Sequence, residues 1–150
     1  MLELDDTDKR ILNLLNKDAR MSFRHISREL DMSLTKVTSH VKKMEKEGII
    51  KSYIPLLDPE KLGFDMLVII GLDISKAKTM EIQKKIALDP HVLAAYNTIG
   101  QWDSVIIAMF RSRSDLDTFI HKVLSIPEVE KTYTQLVLNI VKDEKRILLY

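Results

Sequence analysis

The stretch that decides the fold is SFRHISRELDMSLTKVTSHVKKMEKEGII, residues 22–50. It reads as two short amphipathic helices joined by a tight turn. Ser22 can cap the first, and Phe23, Ile26 and Leu30 recur at i, i+3 and i+7. Asp31 falls where the chain must turn, and Asp accepts a left-handed backbone better than most residues. Ser33 can cap the second helix, Val37, Val41 and Met44 form its buried stripe, and Gly48 stops it. That stripe leaves Leu34, Thr35, Lys36, Thr38, Ser39, Lys42 and Lys43 outward or on the flanks. Hydroxyls and lysines on the free face of a second helix are what a helix-turn-helix needs in a DNA major groove.

Each residue type has a reason to be there. Thr and Ser can hydrogen-bond base edges or phosphate, Lys36 can reach guanine O6/N7, and Leu34 can touch a thymine methyl. Lys42 and Lys43 suit backbone phosphates, which position without specifying. On the preceding helix Ser22, Arg24, His25 and Arg28 suit the flanking backbone. The same face is also compatible with a merely solvated basic surface, as charge runs usually are.

Charge is unevenly spread. The whole chain carries +1, with 45% hydrophobic residues, enough for a real core. Residues 20–51 hold eight Lys/Arg against four acids, an excess of +4, whereas residues 1–19 hold three against five. The basic excess therefore falls on the candidate reading head. Upstream, Asp5 or Asp6 can cap a first helix bearing Ile11, Leu14 and Leu15.

Cysteine is absent, which excludes disulfides and thiolate metal sites. The start, MLELDDTDKR, is acidic and polar, unlike a secretory signal. The longest apolar run, residues 66–72, is far short of the ~20 residues a membrane helix needs. A soluble, cytoplasmic protein with no membrane partner is expected.

Beyond residue 50 the pattern changes. Residues 49–57 read as extended, with Pro55 marking an edge or an end. The turn-rich stretch 58–63 is the expected junction. Then strand and helix alternate: a strand over 66–74, a helix over 76–88, strands over 92–98 and 104–110. A helix capped by Ser114 with Asp117 comes next, and a long strand over 129–141 ends the series. The order β-α-β-β-α-β is the ferredoxin-like split βαβ. Two helices would cover one sheet face. Val68, Ile70, Val105, Ile107 and Val137 suggest apolar groups on both faces, and a second subunit is the simplest cover.

Catalytic motifs are lacking. The histidines (His25, His40, His91, His121) have no ligand spacing, so they read as surface or capping residues and no metal is expected. There is no GxGxxG, Walker loop or GxSxG, and no cofactor is implied. An enzymatic reading, as in tetrapyrrole decarboxylases of similar two-domain layout, would need His and Arg converging on a large pocket. The chain is therefore not expected to be an enzyme. One turn is peculiar: Gly100, Gln101, Trp102 and Asp103. Its backbone N–H groups could bind a carboxylate and Asp103 an ammonium, the two ends of a free amino acid. From these residues alone, a plain hairpin turn with Trp102 packed on a helix is the better reading.

Four segments together resemble one family: LDDTDKRILNLLNKDAR (4–20), VKKMEKEGIIKSYIPLLDPEKLG (41–63), GQWD (100–103) and VEKTYTQLVLNIVKDE (129–144). The chain resembles Lrp/AsnC-type, or feast/famine, transcriptional regulators throughout its length. The family often has Gly at the position of Asp31, and this chain departs there. The resemblance implies an α+β chain: a winged helix-turn-helix over 1–50, a connector strand and linker over 51–63, and a βαββαβ effector-binding and oligomerisation domain over 64–150. It implies double-stranded DNA as partner, a homodimer that often builds octamers, and an amino-acid effector bound between dimers. On that basis Tyr133, Thr134 and Gln135 join Gly100, Gln101, Trp102 and Asp103 as effector-site candidates.

Overall fold

The computed structural model describes residues 3–75 and 78–150, and these divide into two compact units. The first runs up to Leu56 and includes Lys142–Tyr150; the second is Leu57–Val141.

Three helices build the first unit: α1 (Asp6–Lys17), α2 (Phe23–Glu29) and α3 (Leu34–Lys46). Each begins at the cap its sequence supplies. Asp5 and Asp8 form a reciprocal capping box on α1. The Ser22 and Ser33 hydroxyl oxygens accept from the N–H groups of His25 and Lys36. Asp31 takes φ 51°, a left-handed turn in a residue other than glycine. Ile11, Leu15, Ile26, Leu30, Val37, Val41 and Met44 close into one core. The C-terminal segment lies on this unit. Asn13 donates from Nδ2 to the carbonyl of Leu149 (2.7 Å) and accepts from its N–H (3.1 Å), while Asn16 Nδ2 donates to the carbonyl of Ile147 (2.8 Å). The last nine residues thus group by their contacts with the helices.

The second unit is a four-stranded antiparallel sheet in the order β2-β3-β1-β4. Its elements are β1 (Met66–Ile74), α4 (Thr79–Ile86), β2 (Val92–Asn97), β3 (Ser104–Phe110), α5 (Arg113–Leu124) and β4 (Val129–Leu136). This is the expected split βαβ arrangement. Alternation decides the faces. Val68, Ile70, Leu72 and Ile74 of β1 and Ile106, Ala108 and Phe110 of β3 are buried beneath Ile82 and Ile86 of α4 and Leu116, Phe119 and Val123 of α5. The opposite face carries Leu67, Ile69, Val105, Ile107 and Met109, all only half-buried.

Four expectations need correction. The connector 51–57 forms no strand, because no neighbouring strand in the chain completes a ladder with it; its residues are exposed. β4 ends at Leu136, not residue 141, because its partner runs out: Val68 pairs with Leu136, and the last rung is Val137 N–H to the Leu67 carbonyl. α5 is capped by Ser112 with Asp115 rather than by Ser114 with Asp117. The helix expected over 76–88 is observed as Thr79–Ile86, and residues 76 and 77 lie outside the described residues.

Candidate nucleic-acid interface and ligand turn

The free face of α3 is assembled as its spacing requires. Thr35, Lys36, Ser39, Lys42 and Lys43 are exposed, and Leu34 is 41% exposed at the N-terminal end. Arg24 and Arg28 are exposed on α2. Among the described residues Arg24, Arg28, Lys36, Lys42 and Lys43 make no ion pair, so their charge is available to a polyanion.

Other members are partly committed. Thr38 Oγ1 donates to the Leu34 carbonyl (2.8 Å), which leaves its hydroxyl only acceptor capacity. Ser22 and Ser33 each accept a helix N–H group, which leaves the hydroxyl hydrogen and one lone pair for another partner. His25 Nε2 lies 3.4 Å from Glu29, one turn on, and so faces a carboxylate rather than standing free.

His40 departs furthest from expectation. It is neither a surface nor a capping residue. Its side chain is 18% exposed, and its Nδ1 lies 2.7 Å from Oδ1 of Asp8, which is 1% exposed. Opposite a carboxylate, Nδ1 must carry the proton and donate. Asp8 Oδ2 accepts from the Asp5 N–H (3.2 Å) and Asp5 Oδ1 from the Asp8 N–H (2.7 Å). The Asp8 N–H, helped by the nearby His40 and Lys43, holds the Asp5 carboxyl below its ordinary range although burial opposes it. Asp5, Asp8 and His40 come close enough together to hold a metal ion. Their donor atoms are already engaged with one another, which accounts for the cluster without an ion.

The turn at Gly100–Asp103 is held from several sides. Thr98 N–H donates to the Asp103 carbonyl (3.1 Å), Thr98 Oγ1 to the Trp102 carbonyl (2.7 Å), and Asp103 N–H to the Leu72 carbonyl (3.0 Å). Gln83 Nε2, buried on α4, reaches the carbonyls of Tyr96 (3.3 Å) and Asp103 (3.4 Å). Gly100 has φ 154°, and Gly100 and Gln101 form the exposed tip.

Trp102 does not pack on a helix. It lies on the open sheet face over Gly71, where an added Cβ would come within 2.2 Å of the indole. Tyr133, opposite Gly71 in the register, stacks beside it with centroids 5.9 Å apart. Gln135 lies opposite Ile69 on the same face, whereas Thr134 lies opposite Ile70 and so falls on the helix-covered side. The structure therefore gathers Trp102, Tyr133 and Gln135 and leaves Thr134 apart. Asp103 is partly occupied: its Oδ2 accepts from the Ile74 N–H (2.9 Å), tying the turn to β1 where the register shifts. Trp102 Nε1 and Ser104 Oγ are buried without a hydrogen-bond partner.

The residues missed from sequence are those that make these arrangements possible. A lone glycine inside a β-branched strand signals close approach of another group, and Gly71 carried that signal. Nothing in the spacing of Gln83, Thr98, Asp8 or His40 pointed to their partners.

Comparison with known proteins bears on both units. The family model described as winged helix-turn-helix DNA-binding matches residues 4–51, and that described as Lrp/AsnC ligand binding domain matches residues 67–147. An uncharacterized HTH-type transcriptional regulator of Pyrococcus furiosus is 40% identical, covering 97% of this chain and 99% of the relative. HTH-type transcriptional regulator Ptr1 of Methanocaldococcus jannaschii is 34% identical over 96% of this chain and 98% of its own. Among solved structures, E. coli AsnC superposes with a TM-score of 0.89 at 28% identity, covering 95% of this chain and 97% of that one. A Neisseria meningitidis transcriptional regulator in complex with L-Met superposes at 0.87 with 25% identity, covering 97% and 96%.

Proposed function

This chain belongs to the Lrp/AsnC family of DNA-binding transcription regulators, not to the enzymes, and on that premise we propose a reader of specific sequence controlled by an amino acid. In this reading the outward face of α3 enters the major groove, with Leu34, Thr35, Lys36, Thr38 and Ser39 toward base edges. Lys42, Lys43, Arg24 and Arg28 neutralise phosphates. A second copy covers the open sheet face, and the dimer sets two α3 helices in successive major grooves about 10 bp apart, on a roughly palindromic site. Larger assemblies up to an octamer follow the same logic. The protein acts in the cytoplasm; no helix among the described residues is long and apolar enough to cross a membrane.

The observation that carries the effector reading is Trp102 seated over Gly71 beside Tyr133, at a turn whose tip leaves Gly100 and Gln101 exposed. Aromatic walls take an apolar side chain, and turn N–H groups take a carboxylate. The remaining oxygen of Asp103 takes an ammonium. An effector that favours one assembly over another shifts DNA binding by its differential affinity for the two.

Calorimetry against the twenty amino acids, starting with L-methionine, tests the effector reading. Asp103→Asn keeps an acceptor for the Ile74 N–H and removes the charge, so it should weaken binding by about tenfold. Absence of heat with every amino acid retires this part. Binding by Asp103→Asn equal to the parent retires the ammonium contact. For the DNA part, a duplex is selected from a random pool by the parent chain. Lys36→Ala should alter preference among duplexes, while Lys42→Ala should lower affinity evenly and reduce the salt slope by about one.

A further inference from the structure

We propose that His40 is the positioning residue of the reading helix: through Asp8 it sets the rotation of α3 on α1, and hence which base edges the protein can read. The proposal rests on α3 being the reader.

The argument starts from Asp8. Its carboxylate is 1% exposed, and a buried charge is costly unless hydrogen bonds surround it. The capping box supplies one bond, from the Asp5 N–H to Oδ2. The bond to Oδ1 comes from another helix, from His40 Nδ1 at 2.7 Å. Charge-assisted bonds of this length are short, directional and stronger than neutral ones.

His40 lies between the two faces of α3. Val37 and Met44, three residues before and four after it, are wholly buried, while Lys36 and Lys43, four before and three after, are exposed. The Val37, Val41 and Met44 stripe attracts without direction and tolerates a small roll of the helix. The bond to Asp8 does not. Side-chain tips stand about 5–6 Å from the helix axis, so a roll of about 20° moves them by about 2 Å. Base-edge hydrogen bonds fail at such displacements, because a recognition site must be held to about 0.5 Å. Lys42 and Lys43, long and flexible, still reach phosphates after the same roll. Loss of the His40 bond should therefore erode sequence preference and spare non-specific affinity.

The test compares affinity for a duplex selected from a random pool by the parent chain with affinity for a scrambled duplex of the same length. His40→Phe keeps a ring and removes the donor. His40→Asn places an N–H at the same remove from Cγ as Nδ1. We expect His40→Phe to lower the ratio of the two affinities by about tenfold, with the scrambled-duplex affinity unchanged, and His40→Asn to restore it. Partial unfolding lowers both affinities together and leaves the ratio in place, so it is separable. Should His40→Phe fail to fold, His40→Leu, which also carries no donor, takes its place. An unchanged ratio in His40→Phe overturns the proposal. An equal loss in His40→Phe and His40→Asn also overturns it, because His40 would then act through its ring and not through Asp8. Lys36→Ala is the control for the reading helix. If it too leaves the ratio unchanged, α3 is not the reader; if only it changes the ratio, the reader stands and the positioning role falls.

Discussion

The head and the sheet domain finish their surfaces differently. In the head, seven apolar residues close on one another, and Leu34 is the large hydrophobic left exposed on the helices, surrounded by lysines and hydroxyls. In the sheet domain one face is sealed by α4 and α5, while the other leaves Ile69, Val105 and Ile107 half-buried and Tyr133 exposed. A surface of the first kind suits a hydrated polyanion, which charge and hydrogen bonds hold. A surface of the second kind gains free energy only by covering apolar area. One chain therefore carries two surfaces suited to contacts that respond differently to salt: screening weakens the first kind and leaves the second largely intact.

The largest effect that sharpens this contrast is Phe110→Ala. Phe110 is fully buried, stacked on His91 and tilted against Phe119. Its truncation should cost the sheet domain about 3–5 kcal/mol. Urea unfolding followed at the only tryptophan, Trp102, reports this domain, while far-UV circular dichroism adds the helices of the head. If the head unfolds at the same lowered urea concentration, the two units are not independent and the contrast fails.

Next, Ile107→Asp puts a charge on the open sheet face. It should leave the fold intact and weaken self-association by about a hundredfold, as read by sedimentation equilibrium. Unchanged association would mean that this face is not what a second copy covers. Gly71→Ala is smaller, about 1–3 kcal/mol of overpacking, because the new Cβ meets the Trp102 indole at 2.2 Å. It should shift Trp102 emission to longer wavelength as the ring is displaced, while the DNA affinity of the head stays as it was.

On the head, Ser33→Ala removes the cap of α3 and should cost about 1 kcal/mol, seen as a lower melting temperature. The smallest effect is a pH dependence. Burial pushes the Asp89 carboxyl up, but hydrogen bonds from Lys122 and His91 outweigh it and hold the group below its ordinary range. A depressed carboxylate contributes stability above its unfolded value, and that contribution is lost as pH falls through the folded one. Below about pH 4 the parent should therefore lose more stability than Lys122→Met. Parallel acid titrations for the two proteins would remove the network from the account.

Much of the fold was legible along the chain because it depends on short-range spacing. Ser22 and Ser33 cap helices wherever a hydroxyl precedes an apolar stripe of period 3.6. Residues 66–74 and 104–110 are short apolar runs, rich in β-branched residues and bounded by turn signals, which suit a strand. The ends of elements were less legible. β4 stops where β1 ceases to offer a partner, and residues 51–57 lack any partner within the chain; neither is a property of the segment itself. The exposed face of α3 was largely visible too, since it is what remains once the buried stripe of α3 is removed. The turn was half visible. Its residues stood out by composition, but Trp102 lies over Gly71, thirty-one positions earlier in the sequence.

The sequence by itself determined the element types, the caps, the basic excess at residues 20–51 and the family resemblance, because each is written in the order and spacing of residues. The tertiary structure alone decided which sheet face carries Trp102 and Tyr133, that Asp103 already serves the Ile74 N–H, and that His40 answers the buried charge of Asp8. Those outcomes depend on pairings between residues far apart in the chain. Such pairings are chosen by packing and by the need to satisfy buried polar groups, and neither leaves a periodic trace in the sequence.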